Sequence, residues 1–432
     1  MAQIQSFHGL RYNPKRVKIG LVTAPPYDVI SPKQQDAFYD KDERNVVRLI
    51  LGKEYPLDDP IHNRYTRSQE FLENWQKEEV LIQEKEPSIY VYEQEFPHPE
   101  TKKKLKRLSF ICCLKIEEFG KGKVYPHETT LKGPKMDRLK LIATTRAHLS
   151  PVYGLFEDAN NKIRPALRKL VTKKALFSFK DPEGVSHKIW NVPDDKKVQK
   201  LVEGFKKKDI FIADGHHRYE TAFTYARSLS NSSVSRREKE EAGYIMIALT
   251  AFEDQGLAMF PTHRLVANFP NFNMKSIIKK LSKTFMVEEV SAAVLEKTLL
   301  KNSSKESYVG LYGEGQSYLL TITNTALGKK KPPRGKNREW QKLSASIASE
   351  LILKPVFKVT EQNKEKHLTY THFFDESLEK VDSGEAQCAV LIPPISIEAM
   401  KKVCKQKQRM PQKSTYFYPK LASGLVFHKH EV

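Results

Sequence analysis

Ile210-Phe211-Ile212-Ala213-Asp214-Gly215-His216-His217-Arg218-Tyr219-Glu220-Thr221-Ala222 is the stretch on which the fold of this chain turns. The apolar run Ile210–Ala213 reads as a short buried strand. A glycine follows it, then a helical pattern through Ala222, Phe223 and Ala226. A strand that passes through glycine into a helix exposes the first helical N–H groups, which have no internal acceptor. Those donors and the helix dipole together make an anion site. Gly215 lets the backbone approach a ligand closely. His216, His217 and Arg218 crowd further donors into the same turn, and arginine offers a planar fork matched to phosphate oxygens. Asp214, at the strand end, is placed to hold Mg²⁺ or to accept a proton. One histidine here would read as a satisfied structural group. Two adjacent histidines with Asp and Arg in one glycine turn read as a functional loop. Zinc is disfavoured at this turn, because adjacent side chains diverge and no His-x-x-x-His spacing occurs.

Outward from this unit the pattern mixes strands and helices. Ser31-Pro32 opens a helix with Ser31 as cap. Residues 61–85 read as one helix through Tyr65, Leu72, Trp75 and Ile82, stopped by Pro87. Ser88–Phe96 and Leu105–Phe119 read as a hairpin rich in Ile, Val, Tyr and Phe. Residues 120–155 show little regular pattern. Tyr244–Phe252 is a strongly apolar strand, with Leu257–Phe260 as its expected returning partner across Asp254-Gln255-Gly256. Further on come a helix at 274–284, a hairpin around Gly313-Glu314-Gly315, a helix at 338–353 and a strand at Gln387–Ile392. No internal repeat is visible. This order predicts an α+β (mixed α/β) fold. We expect an N-terminal catalytic region over 1–268 and an α+β C-terminal region over 269–432.

Composition bounds the function classes. With 432 residues, the chain exceeds one ordinary core. Its 39% hydrophobic content suffices for packed units, which excludes wholesale disorder. No apolar run reaches membrane-spanning length, and Met1–Leu10 lacks the pattern of a secretory leader. The four cysteines, Cys112, Cys113, Cys388 and Cys404, form no Cys-x-x-Cys pair. A structural zinc or disulfide framework is therefore disfavoured, and a reducing cytoplasm is the expected home. Net charge is +21, which invites a polyanionic partner. Its basic clusters are scattered and carry few aromatics, so small anions are favoured over nucleic acid. Walker A, Gly-x-Gly-x-x-Gly and Gly-x-Ser-x-Gly motifs are absent, which disfavours P-loop NTPases, Rossmann dehydrogenases and α/β-hydrolases.

Four further stretches concentrate polar chemistry. Tyr125-Pro126-His127-Glu128-Thr129-Thr130-Leu131-Lys132-Gly133-Pro134-Lys135-Met136-Asp137-Arg138 offers Glu128 as a carboxylate base and Lys135 and Arg138 as cations. A surface loop with weak ion pairs is the competing reading. Pro261-Thr262-His263-Arg264 offers a His-Arg pair for a carboxylate or phosphate, or else a plain strand end. Met410-Pro411-Gln412-Lys413-Ser414-Thr415-Tyr416-Phe417-Tyr418-Pro419-Lys420 offers Lys413, Ser414 and Thr415 as a phosphate cradle, or else a packed aromatic segment. Gly9-Leu10-Arg11-Tyr12-Asn13 and Pro25-Pro26-Tyr27-Asp28-Val29-Ile30 are rigid turns with embedded charges.

Taken in order from residue 9 to residue 420, these motifs resemble the domain-of-unknown-function family 1015. The Asp-Gly-His-His-Arg core is in turn similar to that of free serine kinases with a ParB/sulfiredoxin-like fold. The resemblance implies a ParB/sulfiredoxin-like catalytic core. It also implies phosphoryl transfer from pyrophosphate, or a nucleotide, to free L-serine, with Mg²⁺. On that reading Gly215, His216, His217 and Arg218 hold the donor, with Lys135, Arg138, Lys413, Ser414 and Thr415 adding contacts. By their chemistry, and not by the family motif, Asp214 is expected to hold the metal, Glu128, Asp214 and His217 to be catalytic, and His263 and Arg264 to clamp the amino acid. The competing readings are a ParB-like nucleic-acid-binding or regulatory protein and a phosphoserine-directed hydrolase. No helix-turn-helix pattern follows the loop, which counts against the nucleic-acid reading.

Overall fold

The computed structural model describes residues 2–130, 132–171, 174–230, 232–301 and 306–430. Its elements are mixed α+β, as the patterning predicts. The chain divides into two units. The first comprises Met1–Pro126, Thr130–Leu257 and Pro419–Val432, and the second His127–Thr129 and Ala258–Tyr418. The division at Leu257/Ala258 precedes the expected boundary at residue 268. The reason is that His263–Val266 is a strand of the second unit's sheet, between Cys388–Leu391 and Leu368–Thr371. The C-terminal segment also returns to the first unit, which a single cut cannot represent. Among the described residues no helix is long and apolar enough to cross a membrane.

The first unit is built on a nine-stranded mixed sheet. Its path runs Val124–Pro126, Ile210–Asp214, Val152–Phe156, Tyr244–Ala251, Lys104–Lys115, Ser88–Pro97, Ser186–Pro193 and Phe177–Lys180, with Ile4–Gln5 paired off Lys104–Lys115. Ile210–Asp214 lies parallel to Val124–Pro126 and antiparallel to Val152–Phe156. Ile210, Phe211 and Ile212 are fully buried, because covered sheets want apolar residues on both faces. The core gathers Phe110, Phe156, Phe205, Ile212, Ile247 and Leu249. The four cysteines are free and buried. The second unit carries an antiparallel six-stranded sheet, ordered Met286–Val290, Gln316–Thr323, Glu306–Gly313, Cys388–Leu391, His263–Val266 and Leu368–Thr371. Its hairpin turns at Glu314-Gly315, both at positive φ, as a two-residue turn requires.

Several local expectations are met, and four are corrected. Ser31 caps Pro32–Lys41 through a capping box with Gln34. The helix expected over 61–85 ends at Lys77, where Glu79 adopts a left-handed conformation, and Leu81–Gln83 is a strand instead. Residues 120–155 hold a helix, Lys132–Thr145, with Pro134 tolerated in its first turn. Its buried positions are Arg138, Leu141, Ile142 and Thr145. That is a helical stripe, but two of its four members are polar, so an apolar count overlooks it. Ala258–Phe260 pairs with Tyr416–Tyr418, not with the preceding strand. The helix expected over 338–353 is broken at Leu343, whose backbone is extended, into Arg338–Lys342 and Ser344–Ile347, followed by the π-helical turn Ala348–Leu353.

Candidate anion-binding site

In the first unit the strand Ile210–Asp214 passes through Gly215 directly into the helix His216–Ser230. The first helical bond is Tyr219 N–H donating to Gly215 O at 3.0 Å. Gly215 has φ +85°, a left-handed conformation that L side chains rarely adopt. A Cβ there would stand 3.0 Å from the Arg218 guanidinium. Glycine therefore serves both the turn and the space for Arg218. Upstream, the pairing with Val152–Phe156 is irregular between Ile212 and Asp214, which turns the end of the strand out of register.

Asp214 organises the charges. Its Oδ1 accepts the Gly215 N–H at 2.9 Å, and its Oδ2 lies 3.5 Å from Lys420 Nζ and 3.8 Å from Arg218 Nη2. Arg218 is anchored on its other arm by donating to Pro151 O at 2.5 Å. Burial pushes the Asp214 carboxyl upward, but Lys420, Arg218 and the Gly215 N–H together outweigh it, and the net displacement is downward. A carboxylate held below its ordinary range is a poor general base near neutral pH. Two cations on one carboxylate also do not fit a Mg²⁺ ligand, since Mg²⁺ asks for oxygen donors in near-octahedral order. Asp214 thus orients Arg218 and Lys420.

The sign of the pH dependence follows. A group whose folded pKa is depressed contributes stability that is complete above its unfolded value, about 3.9, and is lost as pH falls through the folded one. The gap in urea midpoint between wild type and Asp214→Asn should hold steady from pH 7 to about 5 and narrow below about 4. Urea unfolding across that range reads it, and a gap independent of pH would exclude the pairing.

The other expected donor-binding residues of this unit are arranged unequally. His216 is buried and His217 partly so, both in the opening turn of the helix. Lys135 Nζ lies 3.1 Å from Glu220 Oε2, one turn further along that helix, and Thr130 Oγ1 donates to the same carboxylate. Arg138 is buried and committed to structure. It pairs with Asp137, donates to Ile50 O at 2.6 Å, and lies 4.0 Å from the Tyr27 ring centre. Asp137 is itself held by Arg64 and Tyr65. Burial and the neighbouring Asp28 push the Tyr27 hydroxyl up to about 12, so it stays protonated. Arg138, Arg218, Tyr27 and Thr221 line one cavity of about 50 Å³. Arg138 thus shapes a wall, with most of its donors already engaged.

Lys420 and Tyr27 were not singled out from sequence. The signal for Lys420 is its place at the end of the Tyr416-Phe417-Tyr418-Pro419-Lys420 stretch. Two buried residues position Lys420. The fully buried Arg107 donates to Pro419 O and to Gln94 Oε1, and Gln94 Nε2 donates to Lys420 O at 2.9 Å.

The second unit gathers a different set. His127, buried, shares a 3.0 Å hydrogen bond with Thr415 Oγ1. Lys413 N–H donates to Glu128 Oε1 at 3.4 Å, and Arg409 donates to Glu128 O at 2.8 Å. Ser414 is buried and donates to Pro411 O at 2.6 Å. The hydroxyls of Ser414 and Thr415 are therefore engaged in holding this loop. His263 and Arg264 are 3% exposed. The Nδ1 of His263 accepts Ile392 N–H at 3.2 Å, and Arg264 donates to Thr262 O and Lys413 O. Burial, followed by Arg264, lowers His263 to about 3. Burial lowers Arg264 to about 10. These contacts make the pair internal supports of the sheet.

Residues 4–347 match the family described as protein of unknown function DUF1015. No curated protein matches the chain. Among solved structures, a free serine kinase mutant in complex with AMP is 12% identical, covers 68% of this chain and 84% of its own, and has a TM-score of 0.35. A conserved hypothetical protein from Pyrococcus furiosus is 13% identical over 70% of this chain and 92% of its own, with a TM-score of 0.35. SbnI with a C-terminal truncation, from Staphylococcus aureus, is 8% identical over 70% of this chain and 82% of its own, with a TM-score of 0.33. With its motifs in order and the greater part of its length matched, the chain belongs to the family of proteins of unknown function DUF1015.

Proposed function

We propose that this chain is a phosphotransferase that moves a phosphoryl group onto the hydroxyl of free L-serine, with pyrophosphate or a nucleotide as donor. The observation that carries the reading is the charge arrangement at the helix start: one ionised carboxylate, Asp214, orienting Arg218 and Lys420 beside the opening turn of His216–Ser230. Such a site suits an anion whose charge is spread over phosphate oxygens. The acceptor rests on the family resemblance. In the reaction the donor's bridging P–O bond breaks, a bond forms from serine Oγ to phosphorus, and the hydroxyl proton passes to a base. Arg218, Lys420 and the N–H groups of the opening turn stabilise the donor oxygens as charge shifts to the leaving group. Glu128 is the base that the sequence offers. Mg²⁺, if bound, would be held mainly on the donor's phosphate oxygens and would neutralise their charge.

The test is incubation of the purified protein with L-serine, Mg²⁺ and pyrophosphate, ATP or ADP in turn, with O-phosphoserine measured by mass spectrometry. Product is expected with one donor class, and Glu128→Gln should lower turnover by about 10²-fold or more. Absence of product with all three donors would overturn the reading.

A further inference from the structure

The chain's last described strand, His428–Lys429, pairs antiparallel with Ala147–His148, and the register sets His428 directly opposite His148. His430 N–H continues the ladder by donating to Arg146 O at 2.8 Å. Side chains alternate along a strand, so His428 and His430 face the same side, and His148 joins them from the neighbouring strand. All three belong to the first unit, and all are buried, at 7%, 2% and 2% exposure in the order His148, His428, His430. Each offers a ring nitrogen within 4.8 Å of one on each of the others.

The hydrogen bonds around the rings sort their nitrogens. His148 Nε2 lies 3.0 Å from Tyr244 O, a pure acceptor, so that nitrogen carries the proton and Nδ1 keeps its lone pair. His428 Nε2 lies 2.7 Å from Glu241 Oε2, and its Nδ1 has no hydrogen-bond partner among the described residues. Among the described residues neither ring nitrogen of His430 has a partner. A buried imidazole without any partner is costly. Histidines that ligate metals typically donate their other nitrogen to a carboxylate or a carbonyl, as His428 and His148 do here. One cation is near, Arg146, which pairs with the buried Glu238 at 3.5 Å.

We propose that His148, His428 and His430 form a three-histidine site for a divalent first-row transition ion of the zinc type, with Glu241 and Tyr244 O as the outer supports of the ligands. Imidazole suits such ions, and three histidines leave a fourth position for water. A tetrahedral ion with Zn–N distances of about 2.0–2.1 Å would draw the three nitrogens, which lie within 4.8 Å of one another, closer together. The ion would tie the returning C-terminal segment to the Ala147–His148 strand, independently of the phosphotransfer reading.

The test uses full-length protein without a histidine tag, stripped with chelator and titrated with Zn²⁺ and, as a spectroscopic probe, Co²⁺. Expected are one equivalent bound, visible Co²⁺ d–d absorption, and a thermal midpoint raised by several degrees on Zn²⁺ addition. His430→Gln should abolish the absorption and the shift. His62→Gln, which alters an exposed histidine, should leave both intact. If His430→Gln fails to fold, X-ray absorption of the Zn²⁺-loaded wild type decides by showing imidazole nitrogens around the ion. Absence of a stoichiometric ion in folded wild type, or full binding by folded His430→Gln, overturns the proposal.

Discussion

Arg218→Ala should lower the rate of O-phosphoserine formation by about 10²–10³-fold, the scale found when one preorganised donor to developing charge is removed. The expectation comes from how firmly the side chain is aimed. One arm of its guanidinium is fixed to Pro151 O, the other faces Asp214, and Gly215 leaves the room it occupies. Little ordering remains to be done when the donor arrives, so the side chain acts at full strength in the transition state. Arg218→Lys keeps the charge but loses the planar fork, and should recover only part of the rate. The change removes a hydrogen bond to Pro151 O as well, so near-ultraviolet circular dichroism should accompany the kinetics. A folded Arg218→Ala variant with wild-type turnover would remove this loop from the chemistry.

Arg107→Met should destabilise the protein by about 2–5 kcal/mol, because the Pro419 carbonyl and the Gln94 side chain would be left buried with fewer partners. Arg107 is fully buried and lies 5.0 Å from the Tyr153 ring centre. Its distinctive consequence is functional. Arg107 and Gln94 together hold the backbone at Pro419 and Lys420, and so hold Lys420 against Asp214. Phosphotransfer in the folded fraction should therefore also fall, with donor KM rising more than serine KM. Urea unfolding and steady-state kinetics read the two effects separately. Loss of stability with unaltered kinetics would make Arg107 a purely structural residue.

Much of the site's backbone was legible before the fold. An apolar run, a glycine and a polar helix start are properties of about a dozen consecutive residues. So are the Ser31 cap and the hairpin around Gly313-Glu314-Gly315. The α+β class followed from the alternation of such segments, and the family from motifs in fixed order. What the side chains do with those backbones was another matter. Asp214 serves two cations, one of them from the returning C-terminal segment. His263 and Arg264 looked like a clamp and are buried in a sheet. The helix Lys132–Thr145 hides its period because Arg138 and Thr145 occupy its buried side.

By itself, then, the sequence determined the strand–glycine–helix turn, the α+β class and the family, since each depends on local spacing and on φ/ψ preferences. Only the tertiary structure decided that Lys420 is the second cation on Asp214, that Ala258–Phe260 pairs with Tyr416–Tyr418, and that His148 meets His428 and His430. Those choices depend on which distant strands pair and in which register, and a polar side chain's role is set by the partner that burial brings to it.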